Sequence, residues 1–287
     1  AAVDSRPGVV LDYPMEISST FATYTFQADT TYYLSGPVTV SGRVVLEGGA
    51  VLKYAPGARL VCGGTIDCLT GPYQPVVFTA KDDNTCGEIV GGSSGNPSTN
   101  FYASPALQIN RSGQDLRHLR MAHAQTAIFL LDYSAGGSGT TLGHLQFVRC
   151  NTAVQAHGYG TTFQNLRLYN ALGLSLDSLV RGYSFNADLQ HLTVIGCNRL
   201  VHDDNGLSYG TTSSASLVNS LLTGVAANTG ERPVTLTRIV SPSAAMNAFL
   251  SVGAGTAYLP PDSSHRNAGT TNINPFLAQD LRTLTTQ

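Results

Sequence analysis

One short phrase recurs along the middle of the chain, and its period constrains the fold more than any other feature. It runs Leu116-Arg-His-Leu-Arg-Met121, Leu142-Gly-His-Leu-Gln-Phe147, Phe163-Gln-Asn-Leu-Arg-Leu168 and Leu189-Gln-His-Leu-Thr-Val194, with weaker copies from Leu217 to Leu222 and from Leu236. The steps between first positions are 26, 21, 26, 28 and 19 residues, a mean of 24. Units of that length cannot bury a face alone and stack as the turns of a solenoid.

Three residues beyond each phrase stands a small or thiol side chain: Ala124, Cys150, Ala171, Cys197 and then Val225. Such a column implies one tight interior spot repeated in every coil. With coils stacked at the strand spacing, Cys150 and Cys197 lie two coils, or about 10 Å, apart. That exceeds the ~7 Å reach of a disulfide between Cα atoms, so both are expected as free, buried thiols. For the other three cysteines two outcomes stay open, a bridge among Cys62, Cys68 and Cys86 in an oxidising compartment, or small buried thiols.

The spacing L-x-x-L-x-L also matches a leucine-rich repeat, which needs a helix or a compact convex segment in each unit. The stretches between phrases, Asp132 to Thr140 and His202 to Thr212, are rich in turn formers and have no 3.6-residue period. Short apolar pairs follow the phrases instead, as at Ala127-Ile128, Ala153-Val154 and Leu200-Val201. Between Tyr32 and Ala80 the chain is a run of three- to five-residue apolar segments punctuated by Gly and Pro, including Val38-Thr-Val40, Val44-Val-Leu46 and Leu60-Val-Cys62. Strands that short need continuous lateral pairing. The expectation is all-β, a right-handed parallel β-helix of about ten to twelve coils over residues 32–275, with the leucine-rich-repeat solenoid as the alternative.

Residues 1–31, with Val9-Val10-Leu11 and the aromatic stretch Phe21 to Phe26, are atypical and are expected to cap the first coil or to add a strand to a neighbour. Residues 276–287 read as a polar tail.

These features resemble the right-handed parallel β-helix proteins exported by bacteria, a group that includes pectate-lyase-like enzymes and large surface proteins without assigned activity. The apolar strand Val77-Phe-Thr-Ala80 leading into Asp82-Asp83 is similar to a phrase in the surface proteins. The resemblance implies the fold, and leaves activity open.

Composition bears on partners and location. Sixteen basic and eighteen acidic residues, dispersed along 287, give no electrostatic footprint for nucleic acid. No apolar run reaches the ~18 to 20 residues of a transmembrane helix. Four Glu and two Lys are too few to surface long helices, and Ser, Thr, Asn and Gly fill the polar positions. The start Ala1-Ala2-Val3-Asp4 suits a chain whose signal peptide has been removed. A secreted or cell-surface location is expected.

The candidates for chemistry are few. Enzymes on polysaccharides use clustered carboxylates, and His202-Asp203-Asp204 at a coil corner is the best such group. Without the Arg-x-Lys and Gly-His-Gly phrases that accompany an Asp pair in polygalacturonase-like enzymes, a solvated Asx turn is favoured over catalysis there. Asp82 and Asp83, with Glu88, carry hard oxygen ligands suited to a structural Ca²⁺, again against an Asx turn. Gly206-Leu-Ser-Tyr-Gly210 matches a nucleophile elbow by pattern but has no helix after it. His118, His144, Asn165, His191 and Asn219 occupy one position of the phrase, and an outward polar ladder accounts for them more simply than a metal site. The function that remains is an extracellular structural subunit, a homo-oligomer or polymer. The alternatives are a lyase or glycoside hydrolase on polysaccharide, or a glycan-binding adhesin.

Overall fold

The computed structural model describes residues 14–97, 101–131, 139–158, 162–204, 213–229, 234–240, 249–252, 255–266, 268–273 and 275–283. It is built almost wholly of parallel strands: one sheet of nineteen, one of three, and a two-stranded antiparallel pair.

The registers divide into three ladders, which the chain visits in turn. On the first, Met15 pairs with Tyr32, and the partners continue through Leu52, Phe78, Met121, Phe147, Gly173 and Val194 to Leu222. On the second, Thr20 leads through Thr39, Val61, Gln108, Phe129, Gln155 and Arg181 to His202. The third has an N-terminal part, Tyr24 to Val44 to Ile66, and a second part, Leu116 through Leu142, Leu168 and Leu189 to Leu217. Within each continuous part of a ladder a strand thus lies beside its equivalents one turn before and one turn after, the end strands on one side only. That arrangement is consistent with a β-solenoid. The leucine-rich-repeat alternative needs helical or compact convex material in every unit, whereas the described residues hold a single nine-residue helix, α1 (Pro275–Thr283), outside the repeats.

The local cause is alternation with corners. Leu116, Leu142, Leu168, Leu189 and Leu217 are essentially inaccessible and form one inward column, each contributing about 1.5–3 kcal/mol by burial. Between the third and first ladders the chain turns at a residue with positive φ, successively His118, His144, Asn170, His191 and Asn219, with φ from 49° to 57°. A second such corner passes through His123, Arg149, Ser175, Gly196 and Gly224. Strands Gln164–Tyr183 and Phe185–Asp203 run unbroken for 20 and 19 residues because they bend at these left-handed positions.

The register corrects the phase of the third repeat. Leu142 pairs with Leu168, not with Phe163. The true third unit is therefore Leu168-Tyr-Asn-Ala-Leu-Gly173, and the inter-phrase steps become 26, 26, 21 and 28. Its second and third apolar positions have shrunk to Ala171 and Gly173. A Cβ on Gly173 would come within 2.9 Å of the Leu176 side chain, which fills the space instead. The thiol column moves accordingly: Leu176, not Ala171, stands between Cys150 and Cys197.

Pairing also begins before residue 32. Strands Met15–Ile17, Thr20–Phe21 and Tyr24–Phe26 make the first rung, filled by an aromatic cluster in which Tyr24 lies 4.6 Å from Phe21 and 4.8 Å from Phe26. Residues 1–13, including Val9-Val10-Leu11, lie outside the described residues. At the other end, the stretch expected as a polar tail contains α1, whose Leu277 is fully buried. Among the described residues, no helix is long and apolar enough to cross a membrane.

Candidate functional site

The acidic corner stands at the end of strand Phe185–Asp203 on the second ladder, which continues one turn further from Val201 to Thr229. Strand alternation sends its two carboxylates to opposite sides. Asp203, in register with Gly182, is 2% exposed and its Oδ2 accepts the Ser213 backbone N–H at 3.2 Å. Asp204 lies on the outer side, where its Oδ1 accepts from Arg181 Nε at 2.6 Å and sits 3.3 Å from His202 Nε2. Two carboxylates so divided do not flank one bond as a glycosidase pair does.

The outer neighbours of Asp204 come from earlier turns, which a linear motif does not reveal. Arg181 and Gln155 precede His202 in the ladder, and His157 precedes Tyr183. Gln155 accepts from the Thr126 hydroxyl at 3.2 Å, and its amide nitrogen lies 2.9 Å from His157 Nε2. Burial, with Arg181 nearby, pushes the His157 pKa down to about 4 despite the opposing charge of Asp204. The His157 and Tyr183 rings stack on each other at 4.1 Å, with Phe129 edge-on at 4.8 Å. Rings stacked along the ladder turn edges outward, leaving poor faces for a sugar. His202 Nδ1 is buried and, among the described residues, has no hydrogen-bond partner. The pattern Gly206 to Gly210 lies outside the described residues.

The acidic loop after Ala80 is organised around a lysine. Lys53, on the outward side of strand Val51–Tyr54, is fully buried beneath it and its Nζ donates to the Asp83 carbonyl at 2.8 Å. Burial lowers the Lys53 pKa, and Cys86, Asp83 and Glu88 partly restore it. The Asp83 carboxylate accepts from the hydroxyls of Thr79 and Thr85 and from the Thr85 backbone N–H, while Asp82 accepts from Tyr102 Oη and the Ser94 N–H. Burial raises both aspartates, and these donors outweigh it, so both carboxyls sit below the usual range. Glu88 is half-buried, and its backbone N–H bonds Thr31 Oγ1. Of the calcium candidates, the carboxylates of Asp82 and Asp83 are thus met by protein donors, and Glu88 is tied to Thr31 through its backbone. Among the described residues, no group of three His, Cys, Asp or Glu could hold a metal ion.

The histidine column lies at the corner between the third and first ladders, and Asn170 stands in it where Asn165 was expected. Asn165 instead belongs to an exposed ladder in which Asn186 Nδ2 donates to its Oδ1 at 3.2 Å and Ser214 donates to Asn186. His118 and His144 stack with centroids 4.8 Å apart. Asn170 Nδ2 lies 2.7 Å from His144 Nδ1, and His144 Nε2 lies 3.2 Å from Asp280 of α1. Donation by the Asn170 amide makes Nδ1 the acceptor and leaves Nε2–H for Asp280. Both imidazole nitrogens are then occupied, which removes His144 as a metal ligand. Asn219 Nδ2 similarly faces His191 Nε2 at 3.1 Å. A groove of about 290 Å³ runs along this column, lined by His118, His144, Asn170 and His191, by Pro72 and by Leu281 of α1.

All five cysteines are free thiols. The bridge left open among Cys62, Cys68 and Cys86 is not formed. Burial pushes the thiols of Cys68, Cys86 and Cys197 up to about 11 and that of Cys150 to about 12, so none is a poised nucleophile.

No protein-family model matches the chain, and no curated protein or solved structure matches it.

Proposed function

We propose that the chain is a right-handed parallel β-helix serving as a non-catalytic structural module of an exported fibre or cell-surface layer, in the manner of the large β-helix surface proteins it resembles. Nine rungs can be followed on its first ladder. One observation carries the reading: most polar groups that could do chemistry are engaged by partners from their own loop, from neighbouring turns or from the closing helix. Asp204 holds Arg181, His144 is held between Asn170 and Asp280, and Asp83 is held by Thr79 and Thr85. Outer side chains spent on stacking serve rigidity.

Self-association follows from sheet edges. Among the described strands, Met15–Ile17, Thr20–Phe21 and Tyr24–Phe26 each pair on one side only, and unpaired parallel edges are templates for another chain. Electron microscopy of the purified chain at several concentrations tests this. Filaments or ordered strings support it, and isolated particles at every concentration overturn it.

A second reading, a polysaccharide lyase or hydrolase, is favoured by the Nδ1 of His202, which has no partner among the described residues, beside Asp204 and Arg181. Product release from an acidic polysaccharide, abolished by Asp204→Ala, would select it.

A further inference from the structure

Stacked turns touch their immediate neighbours, so a solenoid should fray from its ends. The C-terminal segment, residues 259–283, breaks that locality here. It meets the corner column at two places far apart along the stack.

Midway along it, Asn219 and Thr270 form a reciprocal pair. Asn219 Nδ2 donates to the Thr270 carbonyl and the Thr270 N–H donates to Asn219 Oδ1, both at 2.7 Å. The approach is close enough that a Cβ on Gly269 would come within 2.5 Å of Asn219 Oδ1. At its end, Asp280 Oδ2 lies 3.2 Å from both Arg117 Nη1 and His144 Nε2, with Leu277 fully buried on the same helix. Arg117 is also held by Asp115. Leu281, next to the second anchor, lines the groove that Asn170 and His191 share.

We propose that residues 259–283 form a staple that ties the last turns of the stack to the turns of Arg117 and His144, so that the C-terminal half opens as one unit instead of peeling turn by turn. The inference rests on the fold alone and holds whether or not the module polymerises.

Hydrogen exchange read segment by segment tests it. In the unaltered protein, amides of Ser214–Val218 and Leu221–Thr229 should be protected about as well as those of Thr126–Leu131. Asp280→Ala removes the anchor at Arg117 and His144 without touching the last turns. It should speed exchange in Ser214–Val218 and Leu221–Thr229 about tenfold, the loss of a charged hydrogen-bond pair read at a distance. Thr126–Leu131 should be unchanged. Asn219→Gly, which keeps the left-handed corner accessible and deletes the side chain, should reproduce the pattern. A graded fall in protection toward the last turn of the unaltered protein overturns the staple. So does an Asp280→Ala effect that is confined to α1, uniform along the chain, or absent.

Discussion

The ammonium of Lys53 lies 2.8 Å from the carbonyl oxygen of Asp83, fully buried under the loop that follows Ala80. An outward strand position has been converted to an interior one, and the cation is supplied by the chain. Lys53→Met keeps the stem and removes the charge, leaving the Asp83 carbonyl and the nearby acidic groups unanswered. It should cost about 2–3 kcal/mol, measured as a shift in urea midpoint at constant slope. Proteolysis within residues 82–97 should appear first. A melting temperature unchanged between EDTA and millimolar Ca²⁺ is expected for the unaltered protein.

Acid stability should fall in two stages. Burial, the neighbouring His144 and Arg117 push His118 down to about 4, and burial with Arg181 does the same to His157. An unfolded histidine titrates near 6.5. Between those values the unfolded chain binds more protons, so stability decreases as pH falls from about 6.5 to about 4, by about 1–3 kcal/mol for each residue. Asp82, Asp83 and Asp177 have lowered carboxyl pKa values, their donors outweighing burial. Their contribution is present above the ordinary carboxyl value and is lost as pH drops through their folded values. Urea midpoints at pH 7.5, 5.5 and 4.5 separate the stages, and His118→Asn should flatten the first.

Two glycine substitutions should behave oppositely. At Gly182 φ is 146°, and a Cβ would sit 1.8 Å from the Ala156 carbonyl oxygen of the adjacent turn. Gly182→Ala must break that rung, with a loss of more than about 3 kcal/mol. Gly36 has open space around its Cβ position, and Gly36→Ala should stay within about 0.5 kcal/mol. Thermal melts of the two variants side by side decide the matter.

Thiol titration gives an independent check on packing. With Cys150 held near 12 and Cys68, Cys86 and Cys197 near 11 by burial, an aromatic disulfide reagent at pH 8 should label the native chain slowly. All five thiols should react at once in denaturant. Fewer than five would mean a bridge that this fold does not contain.

Periodicity fixed the broad outcome in advance. Short apolar segments with Gly and Pro between them, and a phrase repeating every two dozen residues, leave little but lateral stacking of parallel strands. The leucines of the phrase fall on one inward column because alternation is a local property. The separation of Cys150 from Cys197 by one intervening turn followed from the same count.

What the sequence alone could not decide is every matter settled across turns. The third repeat was misplaced because Phe163-Gln-Asn-Leu-Arg-Leu168 looks like the phrase, while the unit in true register has Ala171 and Gly173 at the apolar positions. Volume is conserved between turns, with Leu176 filling what Gly173 vacates, and a linear pattern cannot register that exchange. Asn170 enters the histidine column for the same reason. Lys53 meets Asp83 across 30 residues, and Asp280 meets Arg117 across 163. Such contacts depend on which turns a loop or a returning segment happens to cover, a matter of tertiary geometry. Strand identity is written in neighbours two residues apart, whereas partnership among charged groups is set by stacking.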